Sequence, residues 1–398
     1  MRILFIAPHP FYQQRGTPMA VRLILESLSK RGHTIDVVTF PEGEEVEIAR
    51  VKIHRVRKLP WIKNVPIGFS LIKVLYDLAL LPKLFQLLRC NHYDLIHAVE
   101  DGVFLACIVK WCHGIPFVYD MDSSMVTQLI GKIKWLRAAK PVLDFFESLA
   151  VRQSLGVLAV CEALTQKAQR YAPNKKIRTL EDVPIMEISE PHLSIKLKSE
   201  LGIEGPVVMY VGNLERYQGV DLLMKSFTRV IREAPQARLV MIGGTPQTVA
   251  HYKTVAAREG IARQAFFLGP KPVSDLQRYL GEADILVSPR IEGENTPMKI
   301  YSYLYSGKPT VATRLFTHTQ VLDDEIAVLV APQAADFAQG ILSLISNPSR
   351  GREIGKKAKQ RVEERYSLAA YERKLYLFYE EIIQTVNHAR RCTQSLHE

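Results

Sequence analysis

Two successive α/β domains, each built on a doubly wound parallel sheet, are predicted by three features of the 398-residue chain. The length exceeds what a single hydrophobic core ordinarily fills, so two domains of roughly 200 residues are expected. Short β-rich runs alternate with helical patterns, the order that strand, crossover and parallel strand produce. That alternation is broken once, near Val183, by DVPIMEISEPHLSIKLKSELGIEG, a linker-like segment rich in proline and charge. The domains are therefore drawn as 1–183 and 184–368. A last helix over 369–391 carries a Tyr/Leu/Phe/Ile face suited to crossing back onto the first domain.

In the first domain ILFIAP (3–8) leads through a loop to a helix over 19–30 with apolar residues at helical spacing. Gly32 ends the helix and TIDVVTF (34–40) follows. DLIHAV, a helix over 104–111, PFVYDM and GVLAVCEAL continue the series. The second domain runs PVVMYVG, helix 220–234, RLVMIGG, helix 246–259, AFFLGP, helix 273–283, DILVSPR, helix 296–306, PTVATR, AVLVAP and helix 335–346. Two such Rossmann-like domains facing a cleft would hold a ligand at the carboxyl ends of both sheets.

Composition narrows the class. Hydrophobic residues make up 47% and charged residues 23%, values of a folded globular chain. The five cysteines are scattered without metal-ligand spacing, and Cys107 and Cys112 read as buried thiols of a reducing compartment. The opening MRILFIAPHP is too short an apolar run for a signal peptide, so a cytoplasmic location is expected. Net charge is +11, concentrated between Val51 and His92, where eight Lys/Arg face the one acid Asp77. The apolar window 68–88 contains Lys73, Asp77, Pro82 and Lys83 and is no membrane span. It reads as an amphipathic helix and loop, including Trp61 and Phe69, that could rest on anionic lipid at the inner membrane face, or as an ordinary helix on a sheet with a solvated basic rim. Lys132, Lys134, Trp135, Arg137 and Lys140 form a second basic-apolar stretch. Nucleic acid is disfavoured as a partner, because the cations alternate with aliphatic residues rather than stacking aromatics.

Neither half carries GxGxxG after its first strand, and no P-loop is present. Instead the first strand leads to Arg15-Gly16-Thr17-Pro18 before a helix, where glycine admits close approach and the helix start offers amides to an anion, or where Thr17 simply caps a turn. The second domain opens YVGNLERYQG, a polar loop between Gly212 and Gly219. Near its other end SPRIEGENTPMKIYSYLYSGKPTVATR leaves a strand through Glu292, Glu294 and Asn295. There Thr296, Pro297 and Met298 are expected to open a helix that Gly307-Lys308-Pro309 stops. A helix start beside carboxylates suits a diphosphate joined to a sugar.

Taken together these segments resemble glycosyltransferase family 4, the retaining GT-B group that uses nucleotide-sugar donors. The likeness runs from MRILFIAP and the RGH turn through DLIHA to the last helix and is closest at NTPMKIYSYLYSGKPTVAT followed by HTQVL. The resemblance implies a hexosyltransferase-like enzyme in polysaccharide or lipid-glycan biosynthesis, with no cofactor and no metal. It also implies a glycan or lipid-linked acceptor. In that family two glutamates eight positions apart contact the donor sugar and the ribose. Here they fall on Glu294 (or Glu292, counted from the Glu-Gly pair) and Ser302, so the second carboxylate is missing. An Arg and a Lys that clamp the diphosphate fall on Asn213 and Gln218, leaving Arg216, Lys299, Arg290 and Arg314 as replacement cations, with Lys299 best placed. The family's cleft histidine aligns near Asp122, which with Asp120 could equally cap the following helix. His97 and Glu100, at a strand exit, are acceptor candidates, with a structural role as the alternative for His97. His318 is a donor contact or a loop cap. These departures leave a non-catalytic glycan-binding or scaffold protein as the rival to an enzyme, and an epimerase of the same architecture behind it.

Overall fold

The computed structural model describes residues 1–14, 16–59, 70–185 and 195–394. It divides into two compact units, 1–181 together with the chain from Tyr371 onward, and 182–370. Arg15, Trp61 and Phe69 lie outside the described residues, as does the stretch 186–194 of the linker.

The first unit holds seven strands: β1 (Arg2–Ala7), β2 (Thr34–Thr39), β3 (Val51–Arg55), β4 (Leu95–Val99), β5 (Phe117–Met121), β6 (Gly156–Ala159) and β7 (Lys176–Thr179). All pair in parallel in the order β3-β2-β1-β4-β5-β6-β7. Every residue of β4 and β5 is buried, as the strands at the middle of a sheet covered on both faces are; His97 and Asp120 are the polar residues among them. Strand order reverses between β1 and β4, so the crevice beyond their carboxyl ends is the natural ligand position.

The second unit repeats the design with β8 (Val207–Val211), β9 (Arg238–Ile242), β10 (Ala265–Gly269), β11 (Ile285–Ser288), β12 (Thr310–Thr313) and β13 (Val328–Val330), ordered β10-β9-β8-β11-β12-β13, all parallel. Helix Val220–Glu233 buries Leu223, Met224, Phe227 and Val230, the helical spacing of an apolar stripe. Here the order reverses between β8 and β11. The two Rossmann-like sheets are those the alternation predicts.

Several details depart from the sequence reading. Strands β3 and β7 and helix Pro348–Arg365 escape it, because their polar residues mask a one-sided apolar pattern. That helix buries only Gly351, Ile354, Gly355, Ala358 and Val362, and a Cβ on Gly355 would lie 1.9 Å from the Gly307 carbonyl oxygen. Cys112 is exposed rather than buried. Helix Leu71–Cys90 turns Tyr76, Leu80, Leu84 and even Lys73 into the unit, so it is a sheet-packing helix and not a free amphipathic one. No helix among the described residues is long and apolar enough to cross a membrane.

Helix Leu368–Gln394 joins the first unit from Tyr371 onward. Leu375, Phe378, Tyr379 and Ile382 are buried, and Gly156 leaves room for Phe378 and Ile382, whose side chains would lie 2.9 and 3.0 Å from an added Cβ. The Tyr379 hydroxyl bonds to His97 Nδ1 at 2.6 Å, while His97 Nε2 reaches Asp120 Oδ2 at 3.1 Å and its ring stacks on Phe5 at 4.2 Å. With Nε2 donating to the carboxylate, Nδ1 accepts from Tyr379. Tyr379→Phe would strand that acceptor in the core, at about 1–3 kcal/mol. We expect denaturant unfolding to reveal that loss, with amide exchange accelerated in the terminal helix; unchanged protection there would contradict the staple.

Candidate functional site

In the second unit the loop after β8 and the loop after β11 are stitched together at the reversal point. A Cβ on Gly219 (φ 72°) would sit 1.9 Å from the Pro289 carbonyl oxygen, so only glycine permits this approach. Ile291 N donates to Tyr217 O at 3.0 Å across the same join. The loop after β9 closes in as well, since a Cβ on Gly243 (φ 111°) would lie 2.2 Å from Gly212 O.

Into this join comes Lys299. Its Nζ donates to Gln218 Oε1 at 3.1 Å and lies 3.9 Å from the Tyr210 ring centroid. Gly212 (φ 145°) leaves the space, because an added Cβ would be 3.2 Å from Nζ. The loop position that lacks the expected lysine, Gln218, thus holds a lysine from a helix 81 positions further on. Among the described residues no carboxylate lies within ion-pair reach of this ammonium. Desolvation, reinforced by the Arg290 guanidinium, pushes its pKa well below the usual lysine value. Arg290 itself lies 5.3 Å from the Tyr217 ring centroid and donates from Nε to Glu292 O at 2.7 Å. Tyr210 and Tyr217, absent from the sequence candidates, are the aromatic floor for the two cations. The strand pattern hides Tyr210 as one more core residue.

The remaining candidates of this unit fall into two groups. Asn213, Arg216, Glu292 and Glu294 are exposed on the two loops. Asn213 Oδ1 accepts from Glu215 N at 3.3 Å and its Nδ2 donates to Tyr217 Oη at 3.0 Å. Asn295 O accepts from Thr317 Oγ1, and Glu294 O from Gln320 Nε2 at 2.8 Å, so the acid loop is moored through its backbone. Thr296 and Pro297 are buried, and Thr296 Oγ1 has no hydrogen-bond partner among the described residues.

Three expectations are corrected here. The helix begins at Lys299, with Met298 as its cap, and not at Thr296; it has seven residues. Ser302 is fully buried and accepts from Ile185 N at 3.0 Å, so it anchors the incoming chain instead of offering a hydroxyl to a ligand. His318 is also fully buried: Nε2 bonds to Ser288 Oγ at 2.9 Å and Nδ1 to Thr313 O at 2.8 Å. Burial pushes its pKa down to about 4, which keeps it neutral, and it ties the ends of β11 and β12 together. Arg314 is paired with Asp324 at 2.6 Å.

In the first unit the candidates stand at the carboxyl ends of β1, β4 and β5. Gly16 and Thr17 open helix Gly16–Lys30, and a Cβ on Gly16 would meet nothing within 4 Å. Glu100 (φ 46°) accepts from Ser123 Oγ at 3.0 Å and faces Lys73 Nζ at 3.5 Å. Lys73 also pairs with Asp101 at 2.8 Å. Burial, followed by the repulsion of Asp101, raises Asp77 well above the usual carboxylate range. Asp122 is half-buried just past β5; Ser124, not an aspartate, caps helix Met125–Lys132 by accepting from Thr127 N. His97, bound on both nitrogens in the core, is structural and not an acceptor contact.

Two family models match the chain, "Glycosyl transferase 4-like domain" over residues 15–181 and "Glycosyl transferases group 1" over residues 205–347. The alpha-D-kanosaminyltransferase of Streptomyces kanamyceticus is 22% identical over 384 residues, 92% of this chain and 99% of that one. A D-inositol 3-phosphate glycosyltransferase of Corynebacterium diphtheriae is 30% identical over 130 residues, 31% of this chain and 30% of its own. Among solved structures, the sucrose-phosphate synthase of Thermosynechococcus elongatus superposes with a TM-score of 0.76 at 18% identity, over 96% of this chain and 99% of its own. HepE of Anabaena, solved in complex with UDP, gives 0.73 at 18% identity over 96% and 100%. With both halves matched in order and the fold shared throughout, the chain belongs to the group 1, 4-like glycosyl transferases and is a glycosyltransferase of the GT-B fold.

Proposed function

We propose that this glycosyltransferase takes its sugar from a nucleotide-diphosphate donor and transfers it with retention to a membrane-associated glycan or lipid acceptor. The observation that carries the donor reading is the Lys299 ammonium. It is desolvated, seated on the Tyr210 ring, bonded only to a neutral amide in Gln218 and lacking a counter-charge among the described residues. A diphosphate is the counter-charge this position calls for, and a relative in fold was solved with UDP-glucose.

In the proposed reaction the diphosphate lies against the Gly212–Gly219 loop, with Lys299 and Arg290 opposing the charge that grows on the leaving phosphate. Preorganised cations in a water-poor site stabilise that charge at little cost in reorganisation. Glu294, with Glu292 beside it, meets the donor sugar's hydroxyls, while Gly16, Thr17, Glu100 and Asp122 belong to the acceptor's side. The acceptor hydroxyl attacks the face from which the diphosphate departs, its proton leaving with a departing phosphate oxygen. The missing ribose carboxylate at Ser302 leaves ribose binding to the Asn213 loop.

Lys299→Met should lower kcat/KM roughly 100- to 1,000-fold, with Lys299→Arg partly restoring it. The same variant should abolish the thermal shift given by whichever of UDP, GDP or CMP stabilises the wild type. Equal turnover in Lys299→Met, or no shift with any nucleotide, contradicts the reading.

A pH dependence follows from the depressed Lys299 pKa. The diphosphate favours the charged amine, so its pKa rises on binding; affinity therefore falls as pH climbs through the free protein's depressed value, and binding takes up a proton between the free and bound values. Calorimetry in phosphate and in Tris should show that uptake as buffer-dependent enthalpy, lost in Lys299→Met. Identical enthalpies in the two buffers at every pH would exclude it.

A further inference from the structure

Helix Lys140–Gln153 is inside out. Its buried side carries Glu147, which is only 1% exposed, with Ser148, Ala150 and Val151. Its solvent side carries Val142, Phe145 and Phe146, exposed by 57, 60 and 47%. The spacing 142, 145, 146 puts these three on one face. The inward side is held by polar bonds that leave no choice of rotation. Glu147 pairs with Lys167 at 2.7 Å and accepts from Ser124 Oγ at 2.9 Å and Tyr171 Oη at 3.0 Å, while Asp144 accepts from Tyr171 Oη at 2.7 Å. A helix so fixed presents its aromatic residues outward as part of the folded state. Just before it, the turn Lys134–Arg137 leaves Trp135 74% exposed.

Charge says what covers this face. Between Asp122 and Asp144 the chain has no acidic residue and four cations, Lys132, Lys134, Arg137 and Lys140. Lys132, Arg137 and Lys140 are exposed, the last bonded to Asp144. Exposed aromatic and aliphatic side chains with lysine and arginine beside them along the chain fit the boundary of an anionic bilayer. There the rings enter the headgroup layer and the cations meet lipid phosphates. A second copy of this positively charged chain would bring like charge against the same rim. We infer that Trp135, Val142, Phe145 and Phe146, with Lys132 and Arg137, form the docking face of this protein for an anionic lipid surface. This assigns the contact to a surface other than helix Leu71–Cys90 and rests on the proposed membrane-borne acceptor for its purpose only.

The test uses the full chain and vesicles of phosphatidylcholine with and without 30 mol% phosphatidylglycerol. Wild type should sediment with the anionic vesicles and not the neutral ones, and the bound fraction should fall with added salt. Phe145→Ser/Phe146→Ser and, separately, Lys132→Glu/Arg137→Glu should each reduce the partition coefficient about tenfold or more. Trp135 emission should shift to the blue on anionic vesicles, and that shift should be missing from Trp135→Phe. Each variant is checked for wild-type nucleotide-induced thermal shift, so that loss of the donor site and loss of lipid binding are read separately. The inference is overturned if wild type ignores anionic vesicles, if the serine pair binds as wild type does, or if sedimentation velocity shows a lipid-free dimer that the serine pair dissolves.

Discussion

At its strand reversal the second unit holds a positive charge that the described surroundings do not neutralise. Taking an ammonium out of water is expensive unless an anion or several hydrogen bonds replace the lost hydration. Among the described residues Lys299 meets one amide oxygen and one aromatic face, and a second cation, Arg290, makes matters worse. Such an arrangement persists only because the surrounding loops are locked by other means. The Gly219–Pro289 approach, the Tyr217 carbonyl to Ile291 amide bond and the Gly243–Gly212 approach together fix the join into which the lysine projects. The strain stored in the charge is the affinity available to an anionic ligand.

The sheet explains why this happens where it does. In a doubly wound parallel sheet the loops leaving the two strands at the reversal point diverge to opposite faces, so a crevice opens between them that side chains do not fill. β8 and β11 are those strands in the second unit. His318, held neutral between Ser288 and Thr313, keeps the ends of β11 and β12 in place beneath it. His318 is buried with both ring nitrogens satisfied, while Asn213, Arg216, Glu292 and Glu294 stand exposed on the loops above it.

Strand alternation made both sheets legible in the sequence, because buried parallel strands such as LIHAV and FVYDM are apolar but for His97 and Asp120, and their crossovers carry helical periodicity. Periodicity fails where one face of an element is packed by small residues, which is why helix Pro348–Arg365, seated through Gly351, Gly355 and Ala358, passes as a polar surface segment. Within the site, Lys299 was visible as a cation close to a loop that lacked one. Its partnership with Gln218, 81 positions earlier, was not, since spatial neighbours brought together by β8–β11 pairing leave no mark on local spacing. Histidines misled for the complementary reason. A strand-exit position gives His97 and His318 the look of ligand contacts, but only the three-dimensional accounting of both ring nitrogens reveals them as satisfied core residues.

The chain itself contains the control for this argument. Lys73 is as hidden from solvent as any lysine here, yet Glu100 and Asp101 lie within ion-pair distance and Asp77 adds to their field, so its pKa is driven up, the opposite direction to Lys299. An ammonium with surplus carboxylates has no use for another anion. It links helix Leu71–Cys90 to the end of β4, where Glu100 has a left-handed backbone conformation. The two desolvated lysines of this protein keep opposite company: Lys73 has carboxylates at ion-pair distance, and Lys299 has none among the described residues. Lys73 is therefore satisfied within its own unit, whereas Lys299 has the surroundings that the proposed donor diphosphate would complete.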